Sequence, residues 1–340
     1  MIKAPQKITG ELSLIDHIRL SFPERNRFIT LGIGDDCAIL RPLRGHEILV
    51  TTDFSLENRH FRRDLHPPAS VGHRCLGRGL SDLAAMGATP LAAFLSLAIP
   101  ASLLKTKGGR TWLDGFLFGI RHLATRYNTP LAGGDTSESP TDLILADIIL
   151  IGSAPRGRAL RRSTAQAGDA IYVTGSLGGA HAELSALLAA NRPSRAKAED
   201  DHPHFFPQPR LAVGSALLRR RLANAAIDLS DGLSTDLTHL CESSSLRAEI
   251  DASRIPIHPL AAKLPPKEAL HAALHGGEDY ELLFTAPPAL RIPRSIAGTP
   301  ITRIGTMHKT TSRKPRITLI QPSGQRTELK SAGWEHLSTH

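Results

Sequence analysis

Acidic residues flanked by glycine, serine or threonine recur at five places in this 340-residue chain: Gly34-Asp35-Asp36, Thr51-Thr52-Asp53, Ser81-Asp82, Gly133-Gly134-Asp135-Thr136 and Asp228-Leu229-Ser230-Asp231-Gly232. Carboxylates and hydroxyls are hard oxygen donors, the set that Mg2+ prefers, whereas zinc calls for closely spaced Cys and His. Asp beside Gly is common in turns for conformational reasons alone, so the joint occurrence carries the reading rather than any single segment. Ser81-Asp82 stands apart, because the helical pattern continues through Leu83-Ala84-Ala85-Met86, where an Asp lowers helix propensity without capping anything. Several carboxylates around one pocket repel a polyphosphate unless divalent ions bridge the two. The chemistry implied is magnesium-assisted phosphoryl transfer, in which ions neutralise charge while the protein holds the attacking and leaving oxygens in line. The expectation is that these distant segments converge on one pocket.

The usual phosphate-binding devices are missing, since the chain has no GxxxxGK[ST] loop and no kinase-type glycine loop with HRD and DFG elements. Thr174-Gly-Ser-Leu-Gly-Gly, running into a helical stretch, reads either as an anion cradle of backbone amides or as a plain strand-to-helix turn.

The elements that must position these residues follow from periodicity. Residues 11–20 read as a short amphipathic helix, 47–52 as a strand with Asp53 just beyond it, 67–86 as a long helix, 91–99 as a strand, 111–127 as a helix and 143–151 as a strand. After a basic segment at 155–163 come a strand at 170–174 and helices at 180–190 and 209–221. A strand at 225–228, a helix at 233–243 and strands near 247–250 and 281–285 follow. Residues 191–209 are polar and Pro-containing without a period, and read as a surface loop, the segment expected to be most mobile. The length exceeds one core, so two domains are expected, at 1–152 and 153–340.

Composition excludes several classes. An apolar content of 41% is that of a globular chain, and the most apolar stretches are about half the ~20 residues that a bilayer span needs. The first ten residues lack the apolar core of a signal peptide, so a cytoplasmic protein without a membrane anchor is expected. Cys37, Cys75 and Cys241 form no CxxC pair, which fits a reducing compartment. The net charge of +9 is spread out, and its densest region, residues 303–330, reads as a solvated basic face rather than a nucleic-acid surface.

The motifs GIGDDCAIL at 32–40, TTDFSLENRHF at 51–61, GLSDLAAMGATP at 79–90, LAGGDTS at 131–137, GRALRRS at 157–163, GDAIYVTGSLG at 168–178, AIDLSDGLSTDL at 226–237 and HGGEDYELLFT at 275–285 occur in one order. In that order the chain resembles the thiamine-monophosphate kinase family, part of the aminoimidazole ribonucleotide synthetase-like fold group. The resemblance implies a two-domain fold of α+β and α/β character. Its N-terminal domain binds ATP and magnesium and pairs its sheet across a homodimer, and its C-terminal α/β domain completes the nucleotide and substrate site. It implies ATP-dependent phosphorylation of thiamine monophosphate to thiamine diphosphate. It further implies Asp35, Thr51, Thr52, Asp53, Asp82, Asp135, Asp228 and Asp231 as magnesium ligands, with Asp53, Asp135 and Asp231 closest to the chemistry. Gly134, Asp135, Arg162 and Ser230 are implied as nucleotide contacts, and His60, Glu278 and Trp334 as substrate contacts. Asn58-Arg59 and Glu138 depart from the family pattern. Two alternatives stay open: another ATP-using enzyme of the same fold group, or a non-catalytic basic binding protein.

Overall fold

The computed structural model describes residues 11–22, 26–33, 37–198, 200–310 and 317–333, for residues 11 and 12 the backbone alone. The chain divides into two units, one of Met1–Leu80, Pro90–Pro155 and Asn191–Asp201, the other of Ser81–Thr89, Arg156–Ala190 and His202–His340.

The first unit contains α1 (Glu11–Ser21), β1 (Ile29–Leu31), β2 (Ile39–Leu40), β3 (His46–Leu56), most of α2 (Pro68–Ala85), β4 (Thr89–Ile99), α3 (Ala101–Lys105), α4 (Lys107–Arg126), β5 (Leu131–Glu138) and β6 (Leu145–Pro155). Four strands form one sheet in the order β3-β6-β4-β5, with β3 at an edge. β3 and β6 pair antiparallel from His46↔Pro155 to Leu56↔Leu145, and β4 and β5 pair parallel. Helix α4 begins where the Thr106 side chain accepts from the Gly109 amide, the ordinary way of satisfying an orphan donor at a helix start. Its buried face carries Leu113, Phe116, Ile120 and Leu123 at helical spacing, each stabilising the core by roughly 1.5–3 kcal/mol. Helix α2 lies directly on it: a Cβ at Gly72 would stand 1.9 Å from the Phe116 carbonyl oxygen, so no larger residue fits there.

The second unit contains β7 (Ala170–Thr174), α5 (Gly179–Ala190), α6 (Leu211–Arg219), β8 (Ala225–Asp228), α7 (Leu233–Ser244), β9 (Leu246–Asp251), α8 (Pro266–His275), β10 (Leu282–Ala286), β11 (Ser295–Ile296), β12 (Thr299–Lys309), β13 (Ile317–Ile320) and β14 (Arg326–Leu329). Its sheet runs β14-β13-β9-β12-β7-β10-β8, with β11 attached to β12. The pairs are antiparallel except β13 with β9. Among the described residues an apolar cluster packs this sheet against α7 and α8, with Ile171, Val173, Ile227, Leu237, Leu240, Ile250 and Leu283 almost wholly enclosed.

The two-domain expectation of mixed sheets plus helices holds in these units, two local readings change and one long strand is added. β3 continues through Leu56, so Asp53 lies inside the strand rather than after it. Residues 191–209 are not all surface: His204, Phe205 and Phe206 are buried, because the Glu183 carboxylate accepts from the His204 amide and pairs with His202. The long strand β12 shows little alternation in sequence, since it begins Thr-Pro and its register is interrupted between Arg303 and Gly305.

Candidate functional site

In the first unit the chemistry-bearing residues of β3 obey the two-residue period of a strand. Thr51, Asp53 and Ser55 share the face covered by α2: Ser55 hydrogen-bonds the buried Cys75, and a Cβ at Gly79 would meet the Thr51 methyl at 3.4 Å. Ile48, Val50, Thr52 and Phe54 take the other face, where Val50 is 63% and Phe54 60% exposed. Three consecutive side chains therefore do not reach one ion. The Thr52 hydroxyl donates to Asp147 Oδ1 on β6 at 2.7 Å. Burial pushes the Cys75 thiol up to about 12, so it stays protonated and is no nucleophile at neutral pH.

On β5, Gly134 and Asp135 stand opposite Leu95 and Ser96 and are solvent-exposed within a strand, not in a turn. His60 lies in the loop after β3, which is held by Glu57: its carboxylate pairs with Arg63 at 3.0 Å and accepts from the Ile144 amide at 2.9 Å. The His60 Nδ1 accepts from the Leu56 amide at 2.9 Å, which puts the proton of the neutral ring on Nε2. Asp35 lies outside the described residues.

In the second unit, Asp228 ends β8 fully enclosed and accepts from the Ser81 hydroxyl at 2.7 Å. Burial holds its carboxyl well above the usual range, and the neighbouring Asp82 carboxylate raises it further, while the Ser81 bond and the Arg162 guanidinium act in the opposite sense. Ser81-Asp82 is thus a working pair: the serine fixes one acid and the aspartate adds like charge beside it. Arg162 itself is exposed, in a short turn whose main-chain carbonyl accepts from the Ser244 hydroxyl at 2.6 Å.

The 228–232 loop is built against 275–281, backbone to backbone. The Glu278 amide donates to the Ser230 carbonyl at 2.8 Å and the Tyr280 amide to that of Leu229 at 2.9 Å. Glu278 and Tyr280 both adopt positive φ, at 68° and 49°, a costly backbone that the surrounding pairing holds in place. The Glu278 carboxylate is 3.2 Å from His204 Nδ1. Trp334 lies outside the described residues.

Three residues that sequence reasoning passed over shape this locus. Asp236, buried, accepts from the Asp231 and Gly232 amides at 3.1 and 3.0 Å, and burial with Asp228 and Asp231 nearby drives its carboxyl well upward. His204 came from the supposed surface loop. Asp279 takes the Gly178 and Ala180 amides at 2.6 and 3.2 Å, so the glycine-rich turn before α5 caps an internal carboxylate. That removes the anion-cradle reading. The Asp279 carboxyl is enclosed although the residue as a whole is half-buried, and burial pushes it up to about 7 against the pull of those amides. The only sequence signal for Asp236 was its place in the AIDLSDGLSTDL motif.

Among the described residues, no three His, Cys, Asp or Glu side chains are grouped to hold a metal by themselves. That is compatible with magnesium, which keeps several waters and takes one or two carboxylates together with substrate phosphates. The donors fit such an ion. Asp228 and Asp82 are all-oxygen, and a buried carboxylate raised by its neighbour is a charge imbalance that a cation relieves.

Residues 34–154 match the family described as AIR synthase related protein, N-terminal domain, and residues 166–311 its C-terminal domain. Two such domains in this order define the AIR synthase-related class. Within it, the thiamine-monophosphate kinase of Escherichia coli (strain K12) is 39% identical over 97% of this chain and 99% of its own length. The crystal structure of thiamine-monophosphate kinase from Stenotrophomonas maltophilia K279a superposes with a TM-score of 0.77 at 35% identity, covering 92% of this chain and 96% of that one. AaThiL complexed with AMPPCP and TMP gives a TM-score of 0.71 at 28% identity over 99% of this chain and 100% of its own. The chain belongs to the thiamine-monophosphate kinase family.

Proposed function

We propose that this chain transfers the γ-phosphoryl group of ATP to thiamine monophosphate, giving thiamine diphosphate and ADP. The observation that carries the reading is near end-to-end similarity to thiamine-monophosphate kinases, one of whose structures holds an ATP analogue and TMP together. A phosphate oxygen of thiamine monophosphate attacks the γ-phosphorus in line, one P–O bond forming as the bond to the ADP oxygen breaks. That phosphate is already ionised near neutral pH, so no strong general base is needed.

Asp35, Thr51, Asp53, Asp82, Asp135, Asp228 and Asp231 would hold magnesium, with Thr52 entering only through its main-chain carbonyl. The bound ions would neutralise polyphosphate charge. Asp53, Asp135 and Asp231 stand nearest the reacting groups in this reading. Gly134, Asp135, Arg162 and Ser230 contact the nucleotide, the Arg162 fork matching phosphate oxygens. His60 donates from Nε2 to the acceptor phosphate, consistent with an Nδ1 that already accepts a main-chain amide. Glu278 complements the cationic ring of thiamine, and Trp334 stacks on its flat rings.

The protein acts as a homodimer in the cytoplasm, joined through the β3 face. Ile48, Val50 and Phe54 support this, being 45%, 63% and 60% exposed on an edge strand, a surface that a lone subunit would leave wet. The described helices include none long and apolar enough to cross a membrane. Incubating the purified protein with ATP, Mg2+ and thiamine monophosphate should yield a thiamine species heavier by one phosphate. ADP release without that product would favour another ATP-using member of the fold group, and no ADP release a non-catalytic binding protein.

A further inference from the structure

Two histidines one turn apart close α8: His271 and His275 stand at positions i and i+4, so their side chains leave the same face of the helix. Their ring centroids are 4.8 Å apart and the rings are tilted by 46°. Paired imidazoles at this helical spacing are a chelating unit, and imidazole nitrogen suits zinc, nickel and copper, whereas magnesium takes oxygen.

The surroundings prepare the pair for a cation. His271 is exposed and reachable from solvent, while His275 is half-buried. His275 Nδ1 lies 2.8 Å from the Oγ of Ser234, a residue wholly enclosed on α7. With an ion on Nε2, the remaining ring proton sits on Nδ1 and is donated to that hydroxyl, the way an outer group usually fixes a ligating histidine. Burial lowers the His275 pKa below its ordinary 6.5, and charge on His271 lowers it further. His181, in the first turn of α5, is lowered by the same two causes. Nitrogen lone pairs are therefore open near neutral pH, as a metal requires. The last carbonyls of a helix also carry partial negative charge, which favours a cation at this end.

We propose that His271 and His275 bind one divalent ion of the zinc type, separate from the oxygen ligands assigned to magnesium, and that this ion stiffens the loop that follows α8. Among the described residues no third His, Cys, Asp or Glu is grouped with the pair, so water fills the remaining positions. Residues 276–281 leave α8 directly and hold the 228–232 loop backbone to backbone, so an ion at the last turn of α8 fixes the point from which they start.

The full chain, stripped with EDTA and returned to chelator-free buffer with saturating Mg2+, has its carboxylate sites filled before Zn2+ is added. Calorimetric titration should then show a Zn2+ site that His271→Ala weakens by about 100-fold or more and Ser234→Ala by about tenfold. His122→Ala, which removes an exposed histidine of α4, should bind as wild type does. Cu2+ placed in the site should show the nitrogen splitting of two imidazoles by electron paramagnetic resonance, and of one in His271→Ala. Hydrogen exchange of a peptide spanning residues 276–281 should slow when Zn2+ is added to wild type and not to His271→Ala. No Zn2+ uptake in the presence of Mg2+, or uptake unchanged in His271→Ala, would overturn the site. Unchanged exchange with the ion bound would overturn the stiffening of the loop. Should His275→Ala or Ser234→Ala not fold, His271→Ala still decides, because that ring is exposed.

Discussion

Asp53 and Asp228 are both acids at the heart of short acidic motifs, yet the molecule builds around them differently. Asp53 lies within an edge strand, where a two-residue period decides which neighbours share its face: Thr51 and Ser55 do, Thr52 and Phe54 do not. Asp228 closes a strand and leads into a loop held by another loop, and its surroundings come from far along the chain, from Ser81, Asp82 and Arg162, as well as from Asp236 in the helix that follows. Strand periodicity sorts the side chains of the first region. In the second, burial and like charge leave an imbalance that a bound cation would offset.

The largest effect expected from breaking this contrast is on turnover. Asp53→Asn and Asp228→Asn should each lower kcat for thiamine diphosphate formation by roughly 10²–10³-fold at saturating Mg2+. Asp228→Asn should also raise the thermal midpoint in EDTA, because there the change relieves a buried carboxylate beside another. A rise of equal size in Asp53→Asn would erase the distinction.

Stability against pH gives the next effect. The Asp279 carboxyl is raised from 3.8 to about 7 in the folded chain, so its proton favours the native state. Its contribution is fully present below pH 3.8 and is lost as pH rises through about 7. Each step of one pH unit across that window removes up to ~1.4 kcal/mol, so the wild-type thermal midpoint should fall by several degrees more than that of Asp279→Asn. Parallel profiles would mean that Asp279 is as well solvated as in the unfolded chain.

Phe54→Glu should convert a dimer to a monomer in light scattering, weakening association by about 100-fold or more, with the fold kept because the ring is 60% exposed. Ser81→Ala should raise the Mg2+ concentration for half-maximal rate several-fold, since it removes the hydroxyl that favours ionised Asp228. Smallest is Thr52→Val, expected within about threefold of wild type in kcat/KM while Thr51→Val loses more. A larger loss at Thr52 than at Thr51 would mean that the outward face of β3 carries chemistry.

Much of the framework was legible from local pattern. The strands at 170–174 and 225–228 and the helix at 233–244 are bounded by turn residues and apolar at one period, so they can be read nearly to the residue. β12 cannot, because Pro300, a register break and half-buried positions blur its alternation. The 191–209 segment misleads because its polarity hides Phe205 and Phe206, whose burial depends on Glu183 in the preceding helix.

Residue types and their order, taken by themselves, determined that this chain offers hard oxygen ligands, resembles a family of ATP-using enzymes and spaces its three cysteines without a CxxC pair. Only the tertiary structure decided which groups those ligands face. Asp279 fills the glycine-rich turn from 101 positions away, Ser81 reaches Asp228 across 147, and Ser234 meets His275 across 41. Periodicity speaks for neighbours within a few residues, whereas a carboxylate's charge state and a loop's conformation depend on whatever packing brings against them from anywhere in the chain.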